Sequence, residues 1–413
     1  MSRRVVVTGL GTINPLGHTV KETWEKALRG ESGAGPITLF DASDLNVQIA
    51  AEVKDFDPTR YMPARWARRY SRFEQFALVA AQEALQHAGL EPDKEDPTRV
   101  GVIISSAIGG IDVLEQNTLL LYNEGLRKVG AFVIPQLMPN GASGVVSIHY
   151  GFQGPALSVA SACASGNDAL GLAWNVIRSG VADVVVAGAS EAVICKIAVV
   201  AFDRVGAMAR GGPERRDAPR PFDQNRDGFV IAEGAAVLIL ESEEHARARG
   251  APILAELVGY ASSSDAYHIT APHEEGAGAI LAMRRALETA GLRAEEVDYI
   301  NAHGTGTELN DAVETKAIKA VFGDHAYRIP VSSTKSMTGH MMGATGALEA
   351  IFCVLAIQHG VVPPTINYTT PDPECDLDYV PNEAREVPVR VAMDNAFGFG
   401  GHNAVLIFKK YEG

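Results

Sequence analysis

A cysteine and two histidines, at positions 163, 303 and 340, sit in settings where side chains do nucleophilic and proton-handling chemistry. Cys163 lies in Ser161-Ala162-Cys163-Ala164-Ser165-Gly166, small residues that let the backbone turn sharply between an apolar run and an amphipathic pattern. At such a helix N-terminus the thiol meets free N–H groups and the positive end of the macrodipole, which favour thiolate. A free cysteine is more commonly a buried structural residue, so the sulfur alone leaves both readings open. His303 opens His303-Gly304-Thr305-Gly306-Thr307 directly after the strand-like Val297 to Ala302, at the carboxyl end where open α/β sheets bind ligands. His340 has a similar setting in Lys335-Ser336-Met337-Thr338-Gly339-His340-Met341-Met342-Gly343-Ala344. For each histidine alone a structural role in a glycine-rich turn competes; two such loops in one chain favour chemistry.

The elements that must position these groups read as α/β. Strand-like runs at Val5 to Thr8, Val100 to Ser105, Ala156 to Ala160, Val181 to Ala187 and Ile329 to Ser332 alternate with helical patterns near Val20 to Gly30, Arg72 to Gly89 and Ala164 to Ser179. The grammar repeats. Ala164-Ser165-Gly166 opens one helix and Ala344-Thr345-Gly346 another, and Ala236 to Leu240 is echoed by Ala404 to Phe408. The pattern predicts two related halves, 1–250 carrying the cysteine and 251–413 carrying the histidines.

Composition narrows the function classes. The 413 residues are 46% hydrophobic and 21% charged with 41 glycines, fitting tightly packed α/β layers. A net charge of −14 at pH 7 argues against nucleic acid or an anionic membrane as partner. Arg65-Trp66-Ala67-Arg68-Arg69 is a cationic exception, with i, i+3, i+4 spacing that predicts three guanidinium groups on one helical face. An ordinary solvated face is the alternative. Cys163, Cys195, Cys353 and Cys375 show neither disulfide nor zinc spacing, which fits a reducing cytoplasm and no metal. Val5 to Leu10 is short for a signal-peptide core and reads as a strand, and no run of eighteen apolar residues predicts membrane insertion.

Taken together, Ala-Cys163-Ala-Ser-Gly, His303-Gly-Thr-Gly-Thr, Lys335 with Gly339-His340, and Gly398-Phe399-Gly400-Gly401 resemble the β-ketoacyl synthase family in order and spacing, over essentially Val5 to Phe408. The resemblance implies the thiolase fold, in which duplicated βαβαβαββ halves form a five-layer αβαβα sandwich, and a homodimer. It implies decarboxylative condensation of an acyl-enzyme thioester with malonyl-acyl carrier protein, lengthening fatty acyl chains by two carbons. Cys163 would carry the acyl group, storing its activation as a thioester. His303 and His340 would donate N–H to the enolate left when carbon dioxide departs, and the N–H groups of Cys163 and Phe399 would hold the later oxyanion. No cofactor beyond the phosphopantetheine of the carrier protein is implied.

The same resemblance assigns Lys335, with Glu349, to electrostatic support of the site. It assigns Ile108, Phe132, Ile134 and Phe202 to the acyl pocket, Thr270, Thr305 and Thr307 to the pantetheine arm, and Phe399 to a gate that swings on acylation. The Arg65, Arg68 and Arg69 patch would then dock the acidic carrier protein. Two positions depart from the pattern: His402 stands where the family usually has Thr, and Gly206 where a basic docking residue is common.

Rival readings fare worse. A dinucleotide-binding turn after Val5 would need glycine where Asn14 stands, and Pro15 follows it. A non-catalytic chain-length subunit of the same fold would lack Cys163. A ketosynthase of a polyketide pathway shares all three reactive residues and stays open as the alternative.

Overall fold

Uninterrupted runs of Val, Ile, Leu and Ala form strands covered on both faces, the pattern of a sheet enclosed between helices. The computed structural model describes residues 3–413, so Met1 and Ser2, at the start of the expected front half, lie outside it. Ten strands make the main sheet: β1 (Val5–Ile13), β2 (Val100–Ser105), β3 (Ala156–Leu157), β4 (Val184–Glu191), β5 (Gly234–Ser242), β6 (Ala255–Ser264), β7 (Tyr299–Asn301), β8 (Val331–Ser332), β9 (Val391–Gly398) and β10 (His402–Lys409). All residues of β1, β2, β4 and β5 are buried.

Their order is β8-β7-β9-β10-β6-β1-β5-β4-β2-β3. Read inward from either end it is the same arrangement twice. In the front half β2 pairs parallel with β3 and β4, and β5 pairs antiparallel with β4 and β1. In the back half β7 pairs parallel with β8 and β9, and β10 pairs antiparallel with β9 and β6. The halves meet where Val6 and Val7 of β1 face Glu256 and Ala255 of β6. The repeated α/β grammar of the sequence is therefore a repeated topology.

Among the helices that cover the sheet are α1 (Arg72–Ala88), α2 (Ser165–Arg178), α3 (Ala277–Ala290), α4 (Glu308–Phe322) and α5 (Thr345–His359). α1 starts with Ser71 and Glu74 in a capping box and stops at Gly89, whose φ of 58° closes the last turn. It packs on the outer face of β1 and β5, while α3 covers β6 and β10. α2 and α5 lie between the half-sheets and touch strands of both. Consistent with that place, α5 is buried all round from Thr345 to Ile357. It falls within Met342–His359, a stretch long and apolar enough to cross a membrane, but protein encloses it. The two central helices approach closely at Gly166 and Gly346; a Cβ on Gly166 would sit 2.7 Å from the Ala347 nitrogen.

Element ends differ from the sequence pattern where caps intervene. The strand expected from Val181 begins at Val184, because Gly180 (φ 77°) and the Val181 N–H bond to Val176 belong to the end of α2. β3 is two residues long, its neighbours up to Cys163 being drawn into the turn. The helix expected through Arg65 to Arg69 spans only Ala64–Ala67, so Arg68 is its C-cap and Arg69 lies beyond.

Candidate active site

The turn between β3 and α2 carries Cys163 with its neighbour Ala162 at φ 51°, a left-handed backbone uncommon for a residue with a side chain. Gly398 lies against it: a Cβ there would be 2.9 Å from both the Cys163 nitrogen and the Ser161 oxygen. The loop after β9 therefore lies against the backbone of Cys163. The N–H groups of Phe399 and of Cys163 itself bear on the sulfur.

His340 comes from the back half. Its N–H donates to the Val230 carbonyl at 2.7 Å and its carbonyl accepts from Ala232 at 2.9 Å, so a front-half segment fixes its backbone. Its Nε2 is 3.1 Å from Cys163 Sγ and its Nδ1 2.9 Å from Thr345 Oγ1. His303, at the end of β7, stands with its ring centroid 5.6 Å from that of His340 at 83°. Glu314 of α4 fixes the His303 loop by accepting from the N–H groups of His303 and Gly304, each at 2.8 Å. The structure thus brings a front-half sulfur and two back-half imidazoles to one cavity of about 380 Å³.

Electrostatics decide the resting protonation. Burial, then the charge of Lys335, holds both imidazoles well below the ordinary histidine range, so both are neutral at pH 7. Burial pushes the Cys163 thiol up to about 11, against the opposing pull of Lys335 and the Phe399 N–H. The thiolate expected from the helix N-terminus is therefore not the resting form; desolvation outweighs the dipole. Lys335 is buried and bonded to Glu349 Oε1 at 2.7 Å. Around this one ammonium group burial raises three carboxyls, Glu314 and Glu349 to about 7 and Asp394 well above its ordinary value.

Of the other residues singled out by the sequence, Phe202, Thr270, Thr305, Thr307 and Phe399 line the same cavity. Phe202 and Phe399 have ring centroids 6.5 Å apart, and the Thr305 and Thr307 hydroxyls are 2.9 Å apart. Ile108 is not on the open cavity but in the apolar cluster behind it, with Cys163, Phe202 and Met342. Phe132 and Ile134 are brought to neither place: they are 46% and 62% exposed, on the segment that follows Ile111–Glu124. Arg65, Arg68 and Arg69 are exposed and form no ion pair among the described residues. Arg65 and Arg69 lie over the rings of Trp66 and Phe132, each at 5.6 Å. Gly206 lines the mouth, with Arg210 nearby held by Asp203 at 2.7 Å.

Sequence reasoning missed four supporting groups. Glu314 and Thr345 lie 11 and 5 residues after the histidines that they hold, so helical continuation of each loop was a usable signal. Glu191 had none: fully buried and raised to about 7, it accepts from Ser106 Oγ, from Ala107 N–H at 3.1 Å and from Gly343 N–H at 3.0 Å. It thereby joins the Ile108 loop to the loop after His340. Asp168, in the first turn of α2, is the fourth.

Comparison with known proteins converges on one family. Residues 2–246 match the model described as beta-ketoacyl synthase, N-terminal domain, and residues 254–369 that of the C-terminal domain. The chain is 48% identical over 410 residues to 3-oxoacyl-[acyl-carrier-protein] synthase 2 of Synechocystis sp., covering 99% of each. It is 48% identical over 408 residues to the protein of the same name from Coxiella burnetii, again covering 99% of each. Among solved structures, it superposes with a TM-score of 0.92 and 38% identity, over 100% of both chains, on a chain from a type II polyketide synthase acyl-carrier protein in complex with its ketosynthase bound to the hexaketide.

Proposed function

Because the chain belongs to the β-ketoacyl synthase family and has its thiolase fold, we propose that Cys163, His303 and His340 perform its condensation. The enzyme is a 3-oxoacyl-acyl carrier protein synthase, which joins an acyl thioester to malonyl-acyl carrier protein with loss of carbon dioxide and lengthens a fatty acyl chain by two carbons. The observation that carries the residue assignment is the 3.1 Å approach of Cys163 Sγ to His340 Nε2 beside His303 in one cavity.

In the first half-reaction the thiol proton passes to neutral His340 as sulfur attacks the acyl thioester, and from there to the departing pantetheine sulfur. In the second, malonyl thioester loses carbon dioxide, and N–H groups of His303 and His340 hold the enolate oxygen. The Thr345 hydroxyl can donate to or accept from Nδ1, and so supports either His340 tautomer. The enolate carbon attacks the Cys163 thioester, the N–H groups of Cys163 and Phe399 hold the oxyanion, and collapse expels the Cys163 sulfur. Burial, reinforced by Lys335 held against Glu349, keeps both imidazoles neutral. No cofactor of the protein's own takes part; the substrates come on phosphopantetheine.

Pocket and partner assignments extend this reading. Phe202, Phe399 and Ile108 would bound the acyl chain, with Thr270, Thr305 and Thr307 along the pantetheine arm. Tyr122, Leu126, Ile134 and Ile148 are each more than 60% exposed, and terminal strand β3 exposes Ala156 and Leu157. Such an apolar face beside an open sheet edge supports a homodimer, in which Phe132 and Ile134 would close the acyl pocket of the second copy. The unpaired Arg65, Arg68 and Arg69 would dock the acidic carrier protein, in the cytoplasm. The boundary between the halves would fall at about residue 250, between the helix Glu243–Ala248 and β6.

Mass spectrometry after incubation with acyl carrier proteins of graded chain length tests the assignment. Wild type should gain one acyl group on Cys163 and release the 3-oxoacyl product when malonyl carrier is added. Acylation of Cys163→Ala would refute it. The near full-length identity of 48%, against 38% to the polyketide ketosynthase complex, favours fatty acyl over polyketide substrates.

A further inference from the structure

We propose that Asp168 is a positioning residue that, through Ser161 and Tyr260, holds the turn of Cys163 in register with His340. The inference rests on the reading of Cys163 as acyl acceptor. Asp168 lies in the first turn of α2, one helical turn beyond the nucleophile. Its carboxyl Oδ2 accepts from Ser161 Oγ, and Oδ1 accepts from the Tyr260 hydroxyl at 2.7 Å. Burial raises its pKa while both hydroxyls, and after them nearby His402, pull the other way, and it forms no ion pair with Lys or Arg among the described residues. A half-buried carboxyl whose side-chain hydrogen-bond partners are two neutral hydroxyls is arranged to fix geometry.

Each partner leads back to the nucleophile. Ser161 immediately precedes Ala162, whose left-handed φ of 51° aims Cys163 at the cavity. Its N–H also donates to Ser165 Oγ at 3.0 Å, and that hydroxyl donates to the Ala162 carbonyl at 2.7 Å. Ser161 is thus pinned by main chain and side chain, and Asp168 holds the side-chain pin. Tyr260 comes from β6, in the back half, and its ring packs on Ala164, Ala396 and Ala404. Ala164 follows the nucleophile, and Ala396 and Ala404 are the strand residues on either side of the Phe399 loop. A Cβ at Gly171 would overlap the Tyr260 ring, so glycine there keeps the seat open. The strut therefore spans both halves, and it sets the sulfur, contributed by one half, against the imidazoles, contributed by the other.

A merely structural strut would lower stability; a positioning strut lowers the rate of acyl transfer at unchanged substrate affinity. The variants are Tyr260→Phe, which removes one hydroxyl, and the pair Ser161→Val and Ser161→Thr, nearly equal in volume but differing in the hydroxyl. Single-turnover acylation by acyl carrier protein, followed by intact mass, gives rate and KM, and melting temperature is measured alongside. Misplacement of about 1 Å costs up to about 10²-fold in rate, so Tyr260→Phe and Ser161→Val should each acylate at least about tenfold more slowly with KM within about twofold. Ser161→Thr should recover most of the rate. Wild-type acylation in either Tyr260→Phe or Ser161→Val overturns the proposal, as does a Ser161→Thr variant as slow as Ser161→Val. Acylation of a Cys163→Ala control would instead overturn the nucleophile assignment itself, which no strut variant can mimic.

Discussion

Cys163 Sγ and His340 Nε2 approach to 3.1 Å although 177 residues separate them. The thiol is buried and its pKa is pushed up to about 11, and the imidazole is a base within hydrogen-bond reach of its proton.

Alkylation of Cys163 by iodoacetamide should accordingly keep rising with pH beyond 9. A free cysteine, with a pKa of about 8.5, levels off there. A rate by intact mass that is flat from pH 7 upward would show a resting thiolate instead.

Lys335 lowers the pKa of both imidazoles, so its removal should let them protonate at higher pH. In Lys335→Met the acid limb of the kcat profile should move to higher pH, since more of the histidine population is cationic at any given pH. The variant also leaves Glu349 buried without its partner, and denaturant unfolding should report a loss of about 3 kcal/mol. An unmoved acid limb would remove Lys335 from the control of the histidines.

Reversing the charge of Arg65, Arg68 and Arg69 to Glu should raise KM for carrier-bound acyl groups severalfold and flatten its dependence on salt, because exposed charges act through screened attraction. Acyl pantetheine, which lacks the protein surface, should react as with wild type. Equal losses on both substrates would argue against docking at this patch.

Away from the site, His245 sits between Glu241 (2.7 Å) and Glu95 (2.9 Å), and Glu241 also binds Arg249. The hydrogen bond to Glu241 leads the causes that raise the His245 pKa. A raised histidine contributes its stability below its unfolded pKa of about 6.5 and loses it as pH rises through the folded value. The melting temperature of wild type should therefore exceed that of His245→Gln most near pH 6, the gap closing toward pH 9. A gap independent of pH would assign the effect to packing.

The shared placement of Cys163, His303 and His340 was legible in sequence because each has a local signature. The small residues about Cys163 and the glycines after His303 and before His340 mark turns at strand and helix ends, wherever the rest of the chain goes. The doubled topology was legible for the same reason, since β5 and β10 repeat an apolar pattern at equivalent places. Protonation was not. The helix N-terminus beside Cys163 argues for thiolate, but desolvation depends on what the other half lays over the sulfur. Glu191 was invisible because its partners Ser106 and Gly343 are far away in the chain and only the fold makes them neighbours. The Arg65 to Arg69 spacing fits one helical face only if the helix continues, and it stops at Ala67. Phe132 and Ile134 were placed at the acyl pocket, yet a single copy of the chain leaves them facing outward.

The mirrored strand order gives position 163 a counterpart. Ala164 caps α2 as Ala344 caps α5, which sets Gly343 where the back half would hold a sulfur of its own. Gly343 instead lends its N–H to Glu191. Twins in architecture thus differ in equipment: one half carries the sulfur, the other both imidazoles, and the shared cavity exists only where the two meet.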